Sequence, residues 1–258
     1  MTTLSELINN YDFNQPLSIP KNWLQGRTIY GGLSTALALQ FILKKLDSTH
    51  NLRLRSAQVA FIGAMSEHIE FKFEILKKSK SSQWYKVEGF SNGELGLSIN
   101  FLFTQDRVSK INHDFTLLQN VRSPENYQRL QDPQAPASLS NFDLRPAGGS
   151  IPVSSAKKPE IIAWVRNLDD SNIDPYVSLI TLADSLPPAA MTTFTEFAPV
   201  SSMNWNFDLL HPIEKSEWHL LRANSIFSEN GYSYQQMQIW NSNGDLILQG
   251  TQTVAVFL

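Results

Sequence analysis

A five-residue turn occurs twice in this chain, and its recurrence constrains the fold more than any other feature. Ser91-Asn92-Gly93-Glu94-Leu95 returns as Ser242-Asn243-Gly244-Asp245-Leu246, at an offset of 151. Asn-Gly flanked by alternating apolar residues marks a tight β-hairpin, because both central positions take positive φ. Upstream, Ser56 and Phe61 match Ser202 and Phe207 at an offset of 146, and the difference would be absorbed in loops. The pattern reads as an internal duplication. The alternative is two unrelated α+β domains that share a common turn.

The segments around the two turns follow one order. Gly31 and Gly32 precede LSTALALQFILKKL, a stretch apolar nearly all round that needs cover on most sides. Lys44 and Lys45 fall in its last turn, where cations are favoured. Ile69, Phe71, Phe73 and Ile75 then alternate with charged residues, as in a half-buried strand. Residues 83–90 and the alternation Leu95, Leu97, Ile99, Phe101, Phe103 give two more strands. In the second half, Asp174-Pro175 opens an apolar helical segment from Tyr176 to Met191. Strand-like runs follow at about 201–209, 217–227 and 233–240, and LILQGTQTVAVF closes the chain. The simplest architecture is α+β: two repeats, each a long apolar helix wrapped by a curved antiparallel sheet. Residues 1–105 form the N-terminal repeat and 161–258 the C-terminal one. Between them, 106–160 holds six of the thirteen prolines and reads as a linker partly ordered over a surface.

Composition closes off several functions. A formal net charge of −3 gives no overall field for nucleic acid or an anionic membrane. With no cysteine, disulfides, thiol catalysis and thiolate metal sites are out. Residues 1–13 lack the basic and apolar regions of a signal peptide. No stretch approaches 18 uncharged apolar residues, so no membrane insertion is expected. These features together suit a cytoplasmic protein. No H-x-x-x-H or H-E-x-x-H spacing points to a metal.

Comparing the halves isolates the candidate site. A core position that is apolar in one copy and polar in the other needs a reason, since an unpaired buried polar group costs about 1–3 kcal/mol. Gln252 interrupts the face Leu246, Leu248, Gly250, Val254, Val256, and its counterpart at the 151 offset is Phe101. Asp184 is the only charge between Tyr176 and Met191, and its counterpart falls near Gly32 and Leu33. An isolated carboxylate there is costly to bury unless paired or protonated. Ser202 is the weakest candidate. It lies on the opposite face of its strand from Met203, Trp205 and Phe207, and it matches another serine.

In order along the chain, these residues resemble the acyl-CoA thioesterase II family and the wider double-hotdog thioesterases. The likeness rests on Trp23, Gly26-Arg27 and Tyr30-Gly31-Gly32 before the first helix, then the strand from Ser56 to Phe61. In the second half it rests on Leu182-Ala183-Asp184, His211-Pro212 before Glu217-Trp218, and Gly244-x-Leu246 leading to Gln252. The resemblance implies a double hotdog that hydrolyses acyl-CoA to free acid and CoA, with no cofactor. It implies that Asp184, Ser202 and Gln252 hold the hydrolytic water. The chain departs from the family pattern in having Ser202 where some members carry Thr, and in the spacing of the prolines after Asp184.

With no cysteine and no G-x-S-x-G motif, direct attack by water is the natural route to a thioester carbonyl. Asp184 would serve as base or orient the water. Gly31 and Gly32, at a helix start, are secondary candidates for substrate binding and oxyanion stabilisation. Two other readings remain. A hotdog hydratase or dehydratase would need a His–acid pair, and His50, His68, His113, His211 and His219 occupy no clear core face. A non-catalytic acyl-binding protein would keep the pocket without the Asp–Ser–Gln cluster. Fused repeats already mimic a dimer, and such units often pair further into homo-oligomers.

Overall fold

Two apolar helices buried against one antiparallel sheet organise the chain. The computed structural model describes residues 1–46, 51–66, 68–116 and 120–258. A short helix α1 (Leu4–Asn10) is capped by Thr3 and Glu6 in a reciprocal box. The hairpin β1 (Leu24–Gln25) and β2 (Thr28–Ile29) turns at Gly26, whose φ is +66°. It leads into α2 (Gly31–Leu43), which is buried from Gly32 to Leu39. Four strands follow: β3 (Arg53–Phe61), β4 (Ile69–Lys78), β5 (Ser82–Ser91) and β6 (Glu94–Thr104). Then come β7 (Phe142–Gly149), β8 (Glu160–Asn167) and α3 (Pro175–Ala183). The strands β9 (Val200–Leu209), β10 (His219–Glu229), β11 (Tyr232–Trp240) and β12 (Leu246–Val256) complete the chain.

Among the described residues, ten strands form one sheet in the order β4-β5-β6-β3-β9-β12-β11-β10-β8-β7, every neighbour antiparallel. The order β3-β6-β5-β4 is repeated as β9-β12-β11-β10, and the two quartets meet at β3 and β9. Irregularities recur as well. Extra residues sit at Arg55 in β3 and Met203 in β9, at Leu76 in β4 and Ile226 in β10, and at Gly96 in β6 and Ile247 in β12. Bulges re-aim side chains and fix register, and they fall on matching strands of the two quartets. They also reset the alignment. Between β3 and β9 the offset is 148, not 146, so the counterpart of Ser202 is Leu54 rather than Ser56. The bulge at Ile247 likewise moves Leu246 off the inner face, into a small cluster with Trp164, Trp218 and Trp240.

Two further expectations are corrected. The second helix stops at Ala183 instead of continuing to Met191, because Pro187 and Pro188 cannot extend it; residues 189–193 form a separate 3-10 turn. Residues 142–149, grouped by composition with the linker, are strand β7. Pro146 and Gly148-Gly149 hide its alternation, and Pro146 is tolerated because β7 is an edge strand. From the same stretch, Val121 and Tyr127 pack against the Trp cluster. One continuous apolar core lies between the helices and the sheet and spans both quartets. Among the described residues, no helix is long and apolar enough to cross a membrane.

Candidate active site

The site begins where α3 ends. Asp174 caps α3 by accepting from the Tyr176 amide, Pro175 occupies the first turn, and every residue from Val177 to Ala183 is buried. Asp184 ends the helix with φ −95° and ψ 13°. Its carboxylate therefore faces the first turn of α2. A Cβ at Gly31 would sit 2.6 Å from Asp184 Oδ2; one at Gly32 would sit 2.6 Å from both the Thr181 carbonyl and Tyr30 Oη. Only glycines let the two helices approach this closely. Tyr30 Oη donates to the Thr181 carbonyl at 2.9 Å and locks the approach. Gly31 and Gly32 begin their helix whereas Asp184 ends its own, so they are its neighbours and not the positions that match it.

A relay of amides reaches the same carboxylate from the sheet. The Ala189 amide donates to Gln235 Oε1 at 2.9 Å, Gln235 Nε2 donates to Gln252 Oε1 at 2.7 Å, and Gln252 Nε2 donates to Asp184 Oδ1 at 2.6 Å. Each step fixes the next amide, so Gln252 presents a donor rather than an acceptor to Asp184. Gln252 is 3% exposed and Gln235 is also buried. The Asp184 pKa is pushed up to about 7, chiefly by burial, against the hydrogen bonds from Gln252 and from the Gly32 backbone, which favour the charged form. By residue exposure Asp184 is only half-buried, and the exposed part opens onto a cavity.

That cavity measures about 410 Å³ and takes its walls from both quartets. Asp184, Ser202, Gln252 and Gly31 line it together, facing Phe61 and Met65 of the first half. Ser202 reaches it because of the bulge at Met203. Past that extra residue Ser202 pairs with fully buried Val254 and shares the inner face with Trp205, contrary to simple alternation, while the bulge residue Met203 is exposed and also borders the cavity. The Ser202–Leu54 correspondence now obeys the same rule as Gln252–Phe101: apolar in the first half, polar in the second.

Gln235 was missed in the sequence, although a signal was present. It is the cross-strand partner of Gln252, and the matching pair in the first half is Tyr85 with Phe101. Of the histidines, His68, His113 and His211 are exposed. His219 is buried in a separate recess beside Asp170, with its pKa lowered to about 4 by burial, and His50 lies outside the described residues. No described histidine lines the Asp184 cavity. Among the described residues, no three His, Cys, Asp or Glu side chains group to hold a metal ion.

The fold places the protein in the hotdog class. A hot dog fold protein of unknown function from Alicyclobacillus acidocaldarius is 17% identical, with a TM-score of 0.84 over 95% of this chain and 92% of that one. The acyl-CoA thioesterase II TesB2 of Mycobacterium marinum is 16% identical, with a TM-score of 0.72 over 93% and 91%. A dehydratase domain from the CurJ module of the curacin polyketide synthase is 12% identical, with a TM-score of 0.52 over 88% and 82%. Fold likeness therefore extends across different chemistries. Within this class the sequence is decisive: the chain belongs to the acyl-CoA thioesterase family, matching its N-terminal domain over residues 19–104 and its C-terminal domain over 122–256. The C-terminal match includes most of the stretch expected to be linker. No curated protein is significantly similar in sequence.

Proposed function

We propose that this protein is two fused hotdog units with one working site, and that it hydrolyses acyl-CoA to a free acid and CoA by activated-water attack. The observation that carries the reading is the relay from Ala189 through Gln235 and Gln252 to a carboxylate that opens onto a cavity. The step balances without a cofactor. Asp184 takes a proton from water as the water oxygen bonds to the thioester carbonyl carbon, giving a tetrahedral oxyanion. The C–S bond then breaks, and the proton held by Asp184 passes to the departing CoA sulfur. A base with a pKa near 7 is matched to this exchange. Ser202 and the Gln252 amide hold the water. The Gly32 amide is engaged with Asp184, so the Gly31 N–H at the start of α2 stabilises the oxyanion.

The absence of any described histidine from the cavity favours hydrolysis over a His-dependent hydration. A non-catalytic acyl-binding role is separated by experiment. Free-thiol release over a series of acyl-CoAs should be readily measured for the natural chain and fall about 100-fold or more in Asp184→Asn. A chain that binds acyl-CoA without releasing thiol, or an Asn variant of undiminished rate, would refute this mechanism.

A further inference from the structure

We infer that Met65 is the floor of the cavity and that it limits the acyl group to a short chain, an inference that rests on the acyl-CoA reading of the same site. Met65 lines the cavity yet is only 3% exposed. Its backbone is held in place, because its carbonyl accepts from the Ile29 amide at 2.7 Å. Its side chain lies on the inner face of β5 and β6, over two glycines that leave room for it. A Cβ at Gly89 would meet Met65 Cε at 3.0 Å and crowd Leu97 and Phe71; a Cβ at Gly96 would collide with Met65 Cγ. Gly89 pairs with Leu97, and Gly96 is the bulge residue beside that pair. Met65 thus stands between the cavity and the apolar interior of the first half, where Phe71, Leu97 and Gly89 meet. Methionine suits such a place, since its unbranched chain fills irregular gaps and can be moved.

The volume sets the consequence. At about 410 Å³ the cavity is toward the small end of ligand pockets, which run from about 300 to 1,000 Å³. The attacking water and the thioester occupy part of that space, so the acyl chain that fits above Met65 is a short one. Longer chains require the floor to open. Met65→Ala removes it and joins the cavity to the first-half interior. Gly96→Ala acts in the opposite sense: Gly96 does not have a positive φ, so alanine fits its backbone, and the added methyl drives Met65 toward the cavity.

The test is binding of non-hydrolysable S-alkyl-CoA thioethers, from ethyl to hexadecyl, by calorimetry. In the natural protein affinity should climb about fourfold per methylene and stop climbing before dodecyl. In Met65→Ala the climb should continue at least to dodecyl, and in Gly96→Ala it should end sooner. Unchanged profiles in both variants, or a natural protein whose affinity keeps rising to hexadecyl, would overturn the inference. Hydrolysis measured in parallel separates the two readings. Shifted binding profiles without thiol release leave the floor standing and remove the thioesterase; thiol release with unshifted profiles does the reverse.

Discussion

Gln252 Nε2 lies 2.6 Å from Asp184 Oδ1, and this bond joins the last strand of the sheet to the end of its second helix. It is a charge-assisted contact in a site that otherwise disfavours charge. Burial pushes the Asp184 proton on, while Gln252 and the Gly32 amide pull it off, and the balance lies near neutrality. In the proposed mechanism that balance suits Asp184 to act as a base, and both activity and stability should then depend on pH.

Activity should rise with pH through an apparent pKa near 7, because only the ionised Asp184 accepts a proton. The pH profile of kcat/KM reports this value for the free enzyme. A rate flat from pH 5 to 9 would remove Asp184 as the titrating base.

Stability should run the other way. The folded pKa of Asp184 is raised above its ordinary 3.8, so between about pH 4 and 7 the folded state binds more protons than the unfolded one. This contribution is fully present below pH 4 and is lost as pH climbs toward 7. Because Asp184 opens onto the cavity, the loss is about 1–3 kcal/mol, less than the full shift implies. Asp184→Asn should abolish that part of the slope, and urea midpoints of both proteins across the range measure it.

Gln235 makes no contact with Asp184, yet it orients the group that does. Gln235→Leu leaves the Ala189 N–H and Gln252 Oε1 without this partner and should cost about 1–3 kcal/mol of stability. It also frees the Gln252 amide to turn its oxygen toward Asp184. That would raise the carboxyl pKa further and displace the kcat/KM profile to higher pH. A merely structural role would lower stability and leave the profile where it was, so the profile is the deciding readout.

Gly31→Ala tests the helix approach. The new methyl would sit 2.6 Å from Asp184 Oδ2 and 3.2 Å from Phe61 Cζ, so the carboxylate must move. Gly31 does not need a positive φ, and alanine favours helix, so the fold should survive. Hydrolysis should drop by about 100-fold, on the scale of a displaced base, with near-normal thermal unfolding. Retained activity would show that the two helix ends can separate without consequence.

Much of this was legible in the sequence, for a physical reason. Alternation along β6 and β12 and the all-round apolar character of α2 come from burial, and burial patterns are written locally; along β4 only Ile69 and Phe71 are buried, while Phe73 and Ile75, expected on the same buried face, are exposed. Asp184 and Gln252 stood out because a polar residue in an apolar run contradicts that pattern. The bulges were not legible. A bulge is an agreement between two strands about register, and neither strand announces it alone. Missing the one at Met203 turned Ser202 to the wrong face and matched it with Ser56. Strand β7 was hidden because Pro146 and its glycines suit an edge that only the assembled sheet reveals. Gln235 became visible as half of a pair only once Gln252 had a partner strand.

Ser202 gives the sharpest check on the corrected register. If it faced away from the core, as simple alternation has it, Ser202→Ala would be a surface change with an effect within about 0.5 kcal/mol and no loss of rate. It is paired instead with buried Val254 and lines the cavity with Asp184, and in the mechanism we propose its hydroxyl holds the attacking water. Ser202→Ala should then lower kcat by about 10-fold to 100-fold, with KM little changed. Ser202→Thr keeps the hydroxyl and adds a methyl on a strand that favours β-branched residues, so it should retain most of the rate. Ser202→Leu restores the residue that the first half carries at Leu54, and it should fold normally while abolishing turnover. Equal rates for Ser202→Ala and the natural chain would remove this serine from the proposed water site.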